Sequence, residues 1–265
     1  MPDWIAVVLL GLIEGVTEFV PVSSTGHLLI AEQWLPRQTE LFNVVIQCGA
    51  VIAVLPLFPG RLRQFFFQWR EPGAQSYLAK LLVAFVITCI GGYILDKRGF
   101  KLPERLEPVA VALFVGGALF LGVESWLRGR NLSPQVTWTI ALAMGIGQLI
   151  AAAFPGTSRS GATILLALIL GMNRASATEF SFLLGIPTML AASSLKIFKA
   201  LHHPVADAPV QHWGMVLLGT IVAGIVSFIV VKWLLRYVQT HTFVLFGWYR
   251  IAVAILIAVL LWHSS

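Results

Sequence analysis

Six apolar runs along the chain are each about as long as a helix that crosses a bilayer. A hydrocarbon core of about 30 Å requires about 20 helical residues at 1.5 Å per residue. The runs of this length are Leu41–Phe58, Leu78–Leu95, Pro108–Leu127, Phe180–Phe198, Trp213–Leu235 and Phe243–Trp262. The pattern therefore predicts six membrane-spanning helices.

Two further apolar segments are interrupted near their middle by proline, glycine and hydroxyl residues. The first, Ile5–Leu35, breaks at Pro21–His27, and the second, Val136–Met172, breaks at Pro155–Gly161. Non-helical backbone at membrane depth is tolerated only where protein buries it or where it lines a watery cavity. Each segment is therefore predicted to be a re-entrant hairpin of two helices.

The two broken segments resemble each other in sequence. An offset of 134 residues aligns Pro21 with Pro155 and Ser24 with Ser158. Because three predicted spans lie between the segments, the second hairpin must enter the membrane from the opposite face, and the two tips then meet near the midplane. We predict a single transmembrane domain, 1–265, built as an inverted repeat with halves of about 1–130 and 131–265. The alternative is that the similarity arose by chance, because the aligned segments are short.

The composition is typical of an all-α polytopic membrane protein. Of the 265 residues, 58% are hydrophobic and 11% are charged, whereas soluble proteins have about 25% charged residues. A soluble globular domain and a disordered chain are both excluded. The net charge of +6 comes from basic residues that lie mostly in short loops between apolar runs. Such a distribution is what membrane topology produces, so it predicts no nucleic-acid partner.

Glu14 and Glu18 lie four residues apart on the first predicted helix and therefore share one face. Carboxylates inside an apolar segment are costly unless they face a cavity. There the pair can hold a divalent cation, Mg²⁺ or Ca²⁺, or one acid can act as a base while the other orients it. A frayed, water-exposed helix end is the alternative interpretation.

The first break follows directly after this acidic pair and carries several groups that suit phosphate chemistry. Ser23, Ser24 and Thr25 offer hydroxyl groups, of which one can be a nucleophile. Gly26 allows backbone N–H groups to approach an anion, and His27 adds a titratable imidazole. These residues are candidates for substrate binding and catalysis.

The second break supplies a guanidinium, that of Arg159. Its planar fork can bind two phosphate oxygens at once. We expect the hydroxyl groups of Ser158, Ser160 and Thr163, with N–H groups of the helix that begins near Gly161, to extend this phosphate site. The alternative is that the Arg159 side chain extends to the membrane surface, where its charge is solvated. This interpretation suits a break deep in an apolar segment less well.

Other polar side chains also lie inside apolar runs. Arg250 lies about 10 Å into the last span and is predicted to have a carboxylate or carbonyl partner in a structural role. Gln47, Asn43, Gln148 and Glu179 are interpreted as helix-packing residues, with support of the site residues as the alternative.

At the two breaks the sequence resembles the undecaprenyl-diphosphate phosphatase family, integral-membrane enzymes associated with bacitracin resistance. The segment Glu14–His27, EGVTEFVPVSSTGH, resembles the acidic motif of the family and its Ser-Ser-Thr-Gly-His continuation. The segment Pro155–Thr163, PGTSRSGAT, resembles the second signature, and Glu179–Leu184 follows it. Length and hydropathy also agree, so the resemblance covers essentially the whole chain.

The resemblance implies hydrolysis of undecaprenyl diphosphate to undecaprenyl phosphate and inorganic phosphate, helped by a divalent cation. This reaction recycles the lipid carrier for cell-wall polysaccharide synthesis. By resemblance Ser24 is the nucleophile, with Glu18 and His27 as base or metal-side assistants. Attack by a metal-bound water, with Ser24 only donating a hydrogen bond to the phosphate, stays open.

The same resemblance implies a location and partners. We expect the bacterial cytoplasmic membrane and a pocket that opens to its outer face, an orientation that the loop charges favour only weakly. The expected partners are the polyprenyl diphosphate lipid and the bilayer, with a homodimer left open.

A polyprenyl-phosphate transporter or flippase is the alternative function, because inverted repeats with broken helices are a transporter architecture. A carrier requires an anion site, but it requires neither a nucleophile nor a base. Ser24, His27 and the acidic pair therefore favour the enzyme.

Overall fold

The computed structural model describes residues 1–100, 105–202 and 212–264. Within these residues the regular secondary structure is helical, and one isolated β-bridge joins Ser133 and Met172. The helices are α1 (Asp3–Thr17), α2 (Ser24–Ala31), α3 (Glu40–Val54), α4 (Pro59–Phe67), α5 (Pro72–Lys97), α6 (Leu106–Trp126), α7 (Trp138–Ala153), α8 (Arg159–Ile169), α9 (Arg174–His202), α10 (Trp213–Thr240) and α11 (Val244–Ser264).

Five of these helices are long and apolar enough to cross a membrane. They are α5, α6, α9, α10 and α11, with apolar spans of 20 to 28 residues. Each coincides with a predicted span. The chain is therefore an integral membrane protein, and five of the six predicted spans are confirmed.

The sixth predicted span, Leu41–Phe58, ends at a sharp bend, and it counts as a sixth span only if the two helices at this bend cross the membrane together. Helix α3 ends at Val54, a 3₁₀ turn follows at Leu55–Leu57, and the chain bends by 83° into α4. Pro56 and Pro59 lie at this bend. Because proline has no N–H group and its ring clashes with the preceding helical turn, a straight helix cannot continue through both residues.

Both broken segments have the predicted arrangement of helix, break and helix. The first forms α1 and α2, the second forms α7 and α8, and the longest of these four helices has 16 residues. None reaches the length of about 20 residues that a straight span requires. Within each segment the two helices contact each other.

The two breaks share an uncommon backbone feature. Ser23 (φ 74°) and Ser158 (φ 67°) are the two non-glycine residues with positive φ in the described ranges. Each serine also caps the helix that follows, because its Oγ accepts a hydrogen bond from the backbone N–H three residues later. Ser158 is thus equivalent to Ser23 at an offset of 135 residues (158 minus 23). The alignment of Ser24 with Ser158 is therefore one residue out at the breaks.

Each hairpin packs on a long helix of the other half of the chain. Helix α1 packs against α10, and α7 packs against α5. Glycines allow these close approaches, since a Cβ on Gly15 would lie 2.8 Å from the Ala223 carbonyl oxygen, and one on Gly145 would lie 2.9 Å from the Ala84 oxygen. This exchange of partners between halves is what a two-fold repeat would produce. The inversion of the second half stays a prediction.

Candidate active site

The carboxylate of Glu18 lies where the two breaks meet. Ser24 donates a hydrogen bond from Oγ to Glu18 Oε2 over 2.6 Å, and Gln47 donates to the same oxygen over 3.3 Å. Arg159 Nη2 is 3.4 Å from Glu18 Oε1. The structure therefore brings a hydroxyl, a carboxylate and a guanidinium from both halves of the chain into one cluster.

The charged groups of this cluster are largely removed from solvent. Glu14 and Glu18 are 2% and 7% exposed, and the side chain of Arg159 is 14% exposed. Glu14 lies one helical turn before Glu18 on the same face of α1. When both acids are ionised, a single guanidinium leaves one negative charge in excess. A second cation at the site would offset it.

Arg159 is seated against α9 at the first residue of α8. Its Nη1 donates to the Ser181 carbonyl oxygen over 3.4 Å, and the guanidinium lies directly over Gly185, where any Cβ would overlap it. Its Nε is buried and has no hydrogen-bond partner in the described residues. A buried guanidinium N–H without a partner is uncommon in folded proteins.

The hydroxyl groups of the second break make bonds within the protein. Ser160 is fully buried and donates to the Val20 carbonyl oxygen over 3.4 Å, and Ser158 Oγ lies 3.1 Å from Ser160 Oγ. Thr163 is also fully buried, with its hydroxyl 2.6 Å from that of Ser181. Direct contact of Ser160 and Thr163 with a phosphate stays a prediction, and this placement favours a supporting role for both.

The predicted binding groups of the first break lie around Ser24. Ser23 is buried, and its Oγ accepts the hydrogen bond from the Gly26 N–H over 3.3 Å, so this N–H already has a partner. Ser24 is half-buried and Thr25 is exposed. Ser24 is thus the hydroxyl of this break that contacts the charged cluster.

His27 is directed away from Ser24. Its Nδ1 lies 2.7 Å from the Ser23 carbonyl oxygen and its Nε2 lies 2.8 Å from the hydroxyl of Tyr249. With both ring nitrogens engaged, the imidazole does not contact the Ser24 hydroxyl, which is bonded to Glu18 instead. Of the two candidate bases, the geometry favours Glu18.

Arg250 connects the two breaks. Its side chain is 1% exposed, and it donates to the carbonyl oxygens of Pro21 (3.0 Å), Gly156 (3.3 Å) and Thr157 (3.0 Å). Two more of its bonds reach carbonyl oxygens of Ala112 and Leu113 in α6. The predicted carbonyl partners are confirmed, but the sequence did not indicate that they belong to the breaks themselves.

Two further residues lie at the site. Gln47, for which packing was the favoured interpretation and support of the site the alternative, donates to Glu18. Tyr249 was not singled out, although it precedes Arg250 in an otherwise apolar run. Gln148 does bond to hydroxyl groups of neighbouring helices, Thr88 (2.9 Å) and Thr188 (3.2 Å), as the packing interpretation predicts.

The acidic pair fits a hard cation that is shared with a substrate. No group of three or more His, Cys, Asp or Glu side chains in the described ranges is arranged to hold a metal. Mg²⁺, however, is commonly held by one or two carboxylates together with substrate phosphates and water. Glu14 and Glu18 supply such carboxylates.

The sequence matches the family model of the bacitracin resistance protein BacA over residues 7–256. The chain belongs to the bacitracin resistance protein BacA family. The matched region begins within α1 and ends within α11, so it contains both breaks and every site residue from Glu14 to Arg250.

Curated relatives match this BacA family member over nearly its full length. A protein of Rhizobium etli is 48% identical over 256 residues, which cover 96% of each chain. Proteins of Xanthomonas oryzae pv. oryzae and Xanthomonas axonopodis pv. citri are 44% and 43% identical over 263 residues, covering 99% of this chain and 98% of each relative. All three relatives are named undecaprenyl-diphosphatase.

Proposed function

We propose that this protein hydrolyses undecaprenyl diphosphate to undecaprenyl phosphate and inorganic phosphate. The observation that carries the proposal is the Glu18 carboxylate, which accepts the Ser24 hydroxyl on one oxygen over 2.6 Å and lies 3.4 Å from Arg159 on the other. A candidate nucleophile and an anion ligand thus flank one buried carboxylate, which can act as the base. The names of the relatives support the lipid diphosphate as the substrate.

In the proposed reaction, Glu18 accepts the Ser24 proton as Oγ attacks the terminal phosphorus. The bond from this phosphorus to the bridging oxygen breaks, and undecaprenyl phosphate leaves with the proton from Glu18. Glu18 then takes a proton from a water molecule that attacks the phosphoserine and passes it to Ser24 Oγ as the bond from Oγ to phosphorus breaks, which releases inorganic phosphate and restores Ser24. Arg159 binds oxygens of the transferred group, where a planar fork stabilises negative charge.

Direct attack by water is the alternative route. Glu18 would then deprotonate the water, and Ser24 would only donate a hydrogen bond to the phosphate. The two routes differ in one observable respect, because only attack by Ser24 forms a phosphoserine.

A divalent cation is part of the proposal. Glu14 and Glu18 would hold Mg²⁺ or Ca²⁺, which supplies positive charge to the diphosphate oxygens when it is bound. Arg159 orients the phosphate from the side of α9, and Gln47 restrains Glu18 through its amide. The surrounding helices keep bulk water from the buried carboxylates, which strengthens these electrostatic contacts.

We further propose that the protein works in the bacterial cytoplasmic membrane, with its pocket open to the outer face. There it would return the lipid carrier to cell-wall polysaccharide synthesis. A polyprenyl tail requires an apolar surface, and the spans offer exposed apolar side chains for this purpose, such as Val111 and Phe114 on α6. The bacitracin resistance in the family description is consistent with this role.

The test is phosphate release from undecaprenyl diphosphate by purified protein in detergent, where no transmembrane gradient exists. We expect release by wild type and a loss in kcat of about 10³-fold or more for Ser24→Ala. Ser125→Ala, which changes an exposed serine of α6, is the control and should be unaffected. Absence of release by wild type would reject hydrolysis and favour the transporter. A loss of only about tenfold in Ser24→Ala, without phosphoserine in acid-quenched reactions, would favour attack by water.

A further inference from the structure

The carbonyl oxygen of Ser23 is held by two hydrogen bonds from one residue. It accepts the backbone N–H of His27 over 3.3 Å and ring atom Nδ1 of His27 over 2.7 Å. A carbonyl oxygen can only accept, so Nδ1 must carry a proton. The imidazole therefore acts at this position as a donor to the backbone.

The backbone at Ser23 is in a conformation that other side chains rarely adopt. Its φ of 74° lies in the left-handed region, and such a conformation persists only where the surroundings hold it. The next residue is Ser24, whose Oγ lies 2.6 Å from Glu18. Any relaxation at Ser23 would rotate the following peptide and move the Ser24 hydroxyl away from Glu18.

The second break has no imidazole, so comparison with it shows which hydrogen bond the His27 ring adds to the first break. Ala162 is the counterpart of His27 at the same offset of 135 residues, and it donates only its backbone N–H to the Ser158 carbonyl oxygen, over 2.9 Å. Two neighbouring carbonyl groups of that break are bound by Arg250, whereas Arg250 binds only one carbonyl group of the first break, that of Pro21. In the first break, the additional hydrogen bond that restrains the backbone comes from the His27 ring. In the second break, it comes from Arg250.

Tyr249 fixes the other edge of the imidazole. Its hydroxyl is 2.8 Å from Nε2, and the two rings are parallel to within 4° at a centroid distance of 5.6 Å. When the imidazole is neutral, Nδ1 holds the proton and Nε2 accepts from the tyrosine hydroxyl. The phenol ring is 44% exposed, so it closes the side of the imidazole that faces away from the core.

We propose that Tyr249 is a positioning residue that acts through His27 to hold Ser23, and so keeps Ser24 beside Glu18. The inference rests on the proposed function, because phosphate release is one of its measurements. It also gives His27 a structural task in place of proton transfer from Ser24.

The kinetic test compares Tyr249→Phe with Tyr93→Phe, which changes a lipid-facing tyrosine of α5 that is 62% exposed. Phenylalanine keeps the ring contact and removes only the hydroxyl. We expect kcat of Tyr249→Phe to fall about five- to tenfold, the factor expected for one hydrogen bond. KM should stay within about twofold, since no group that binds phosphate is changed. Unchanged kcat, or a loss confined to KM, would overturn the proposal.

Substitutions of His27 test whether Tyr249 acts on Ser23 through the imidazole. Asn places an amide near the position of Nδ1, and Gln places one near the position of Nε2. His27→Asn should therefore keep more activity than His27→Gln. Adding Tyr249→Phe to His27→Asn should cause no further loss, because the contact through which Tyr249 acts is already absent. A better retention by His27→Gln, or additive losses in the double variant, would contradict the assigned path.

A spectroscopic measurement tests the same contact without turnover. In protein labelled with [¹⁵N]histidine, the proton on His27 Nδ1 should give a resolved resonance, assigned by its loss in His27→Asn. In Tyr249→Phe we expect this resonance to broaden through faster exchange. An identical resonance in Tyr249→Phe would reject the positioning role, even if wild-type protein released no phosphate. Failure of the proposed function and failure of this inference are thereby distinguishable.

Discussion

Gly185→Ala tests how closely the position of Arg159 controls the reaction. A Cβ on Gly185 would lie 2.9 Å from Nη2 of Arg159 and still closer to Nη1 and Cζ. Ordinary contacts between heavy atoms require about 3.5 Å, and Nη1 is the atom nearest to the added Cβ, so the guanidinium must move by roughly 2 Å. Its 3.4 Å contact with Glu18 cannot keep its present geometry after such a shift.

A displacement of this size is expected to be costly for catalysis. A misplacement of about 1 Å in a catalytic constellation already lowers the rate by about 10²-fold, which corresponds to about 2.7 kcal/mol of transition-state stabilisation, so the larger shift in Gly185→Ala should cost at least this much. Arg159→Lys, which removes the planar fork itself, should cost about 10²- to 10³-fold in kcat. Since the atoms that clash belong to the end of a flexible side chain, folding should survive in both variants.

The assay is phosphate release with kcat and KM measured separately, alongside yield and gel-filtration behaviour. Gly122→Ala in α6 is the matched control, because nothing lies within 4 Å of the Cβ it would add. Gly185→Ala should add little to Arg159→Lys, since both remove the same contact. If Gly185→Ala kept kcat within about twofold of wild type, the guanidinium would not require the position it has here, and the phosphate-binding role of Arg159 would be wrong.

Three other predictions concern the cation, the topology and Arg250. Excess chelator should abolish phosphate release, and Mg²⁺ or Ca²⁺ should restore it. Glu18→Gln should lower kcat more than Glu14→Gln does. Full activity in excess chelator would reject the role of the cation. Cysteines placed near Gln38 and near Asn173, in a background without the native cysteines, should be labelled from opposite sides of the membrane, and labelling from one side would reject the inverted repeat. Arg250→Lys can bind fewer carbonyl groups, so it should lower the free energy of unfolding by about 2–4 kcal/mol. An unchanged thermal midpoint in detergent would contradict this role.

The breaks were predictable because their chemistry is local. Proline, glycine and hydroxyl residues in succession cannot continue an apolar helix, so both breaks are visible in the sequence. The spacing of Glu14 and Glu18 likewise fixes a shared helix face. The predicted end of the sixth span, Phe58, likewise lies between Pro56 and Pro59, where the chain bends.

The contacts between distant residues were not predictable in the same way. Tyr249 contacts His27 across 222 residues of sequence, and Gln47 contacts Glu18 across 29. A sequence shows that such side chains are polar within apolar runs, but it does not show which partner compensates each one. The orientation of the His27 ring also depends on its two hydrogen-bond partners, the Ser23 carbonyl oxygen and the Tyr249 hydroxyl, whose positions only the folded chain defines.

The bonds of Arg250 have a consequence for biogenesis. This residue lies in α11, which follows every other segment of the site in the sequence, yet its guanidinium satisfies carbonyl groups of both breaks and of α6. During synthesis these carbonyl groups therefore lack their hydrogen-bond donor until α11 has entered the membrane. A nascent chain that has inserted only its earlier helices holds Ser24 and Arg159 but lacks the hydrogen bonds that connect their two breaks. Under the proposed function, hydrolysis would begin only once α11 is inserted, and an incompletely inserted chain would not act on the lipid carrier.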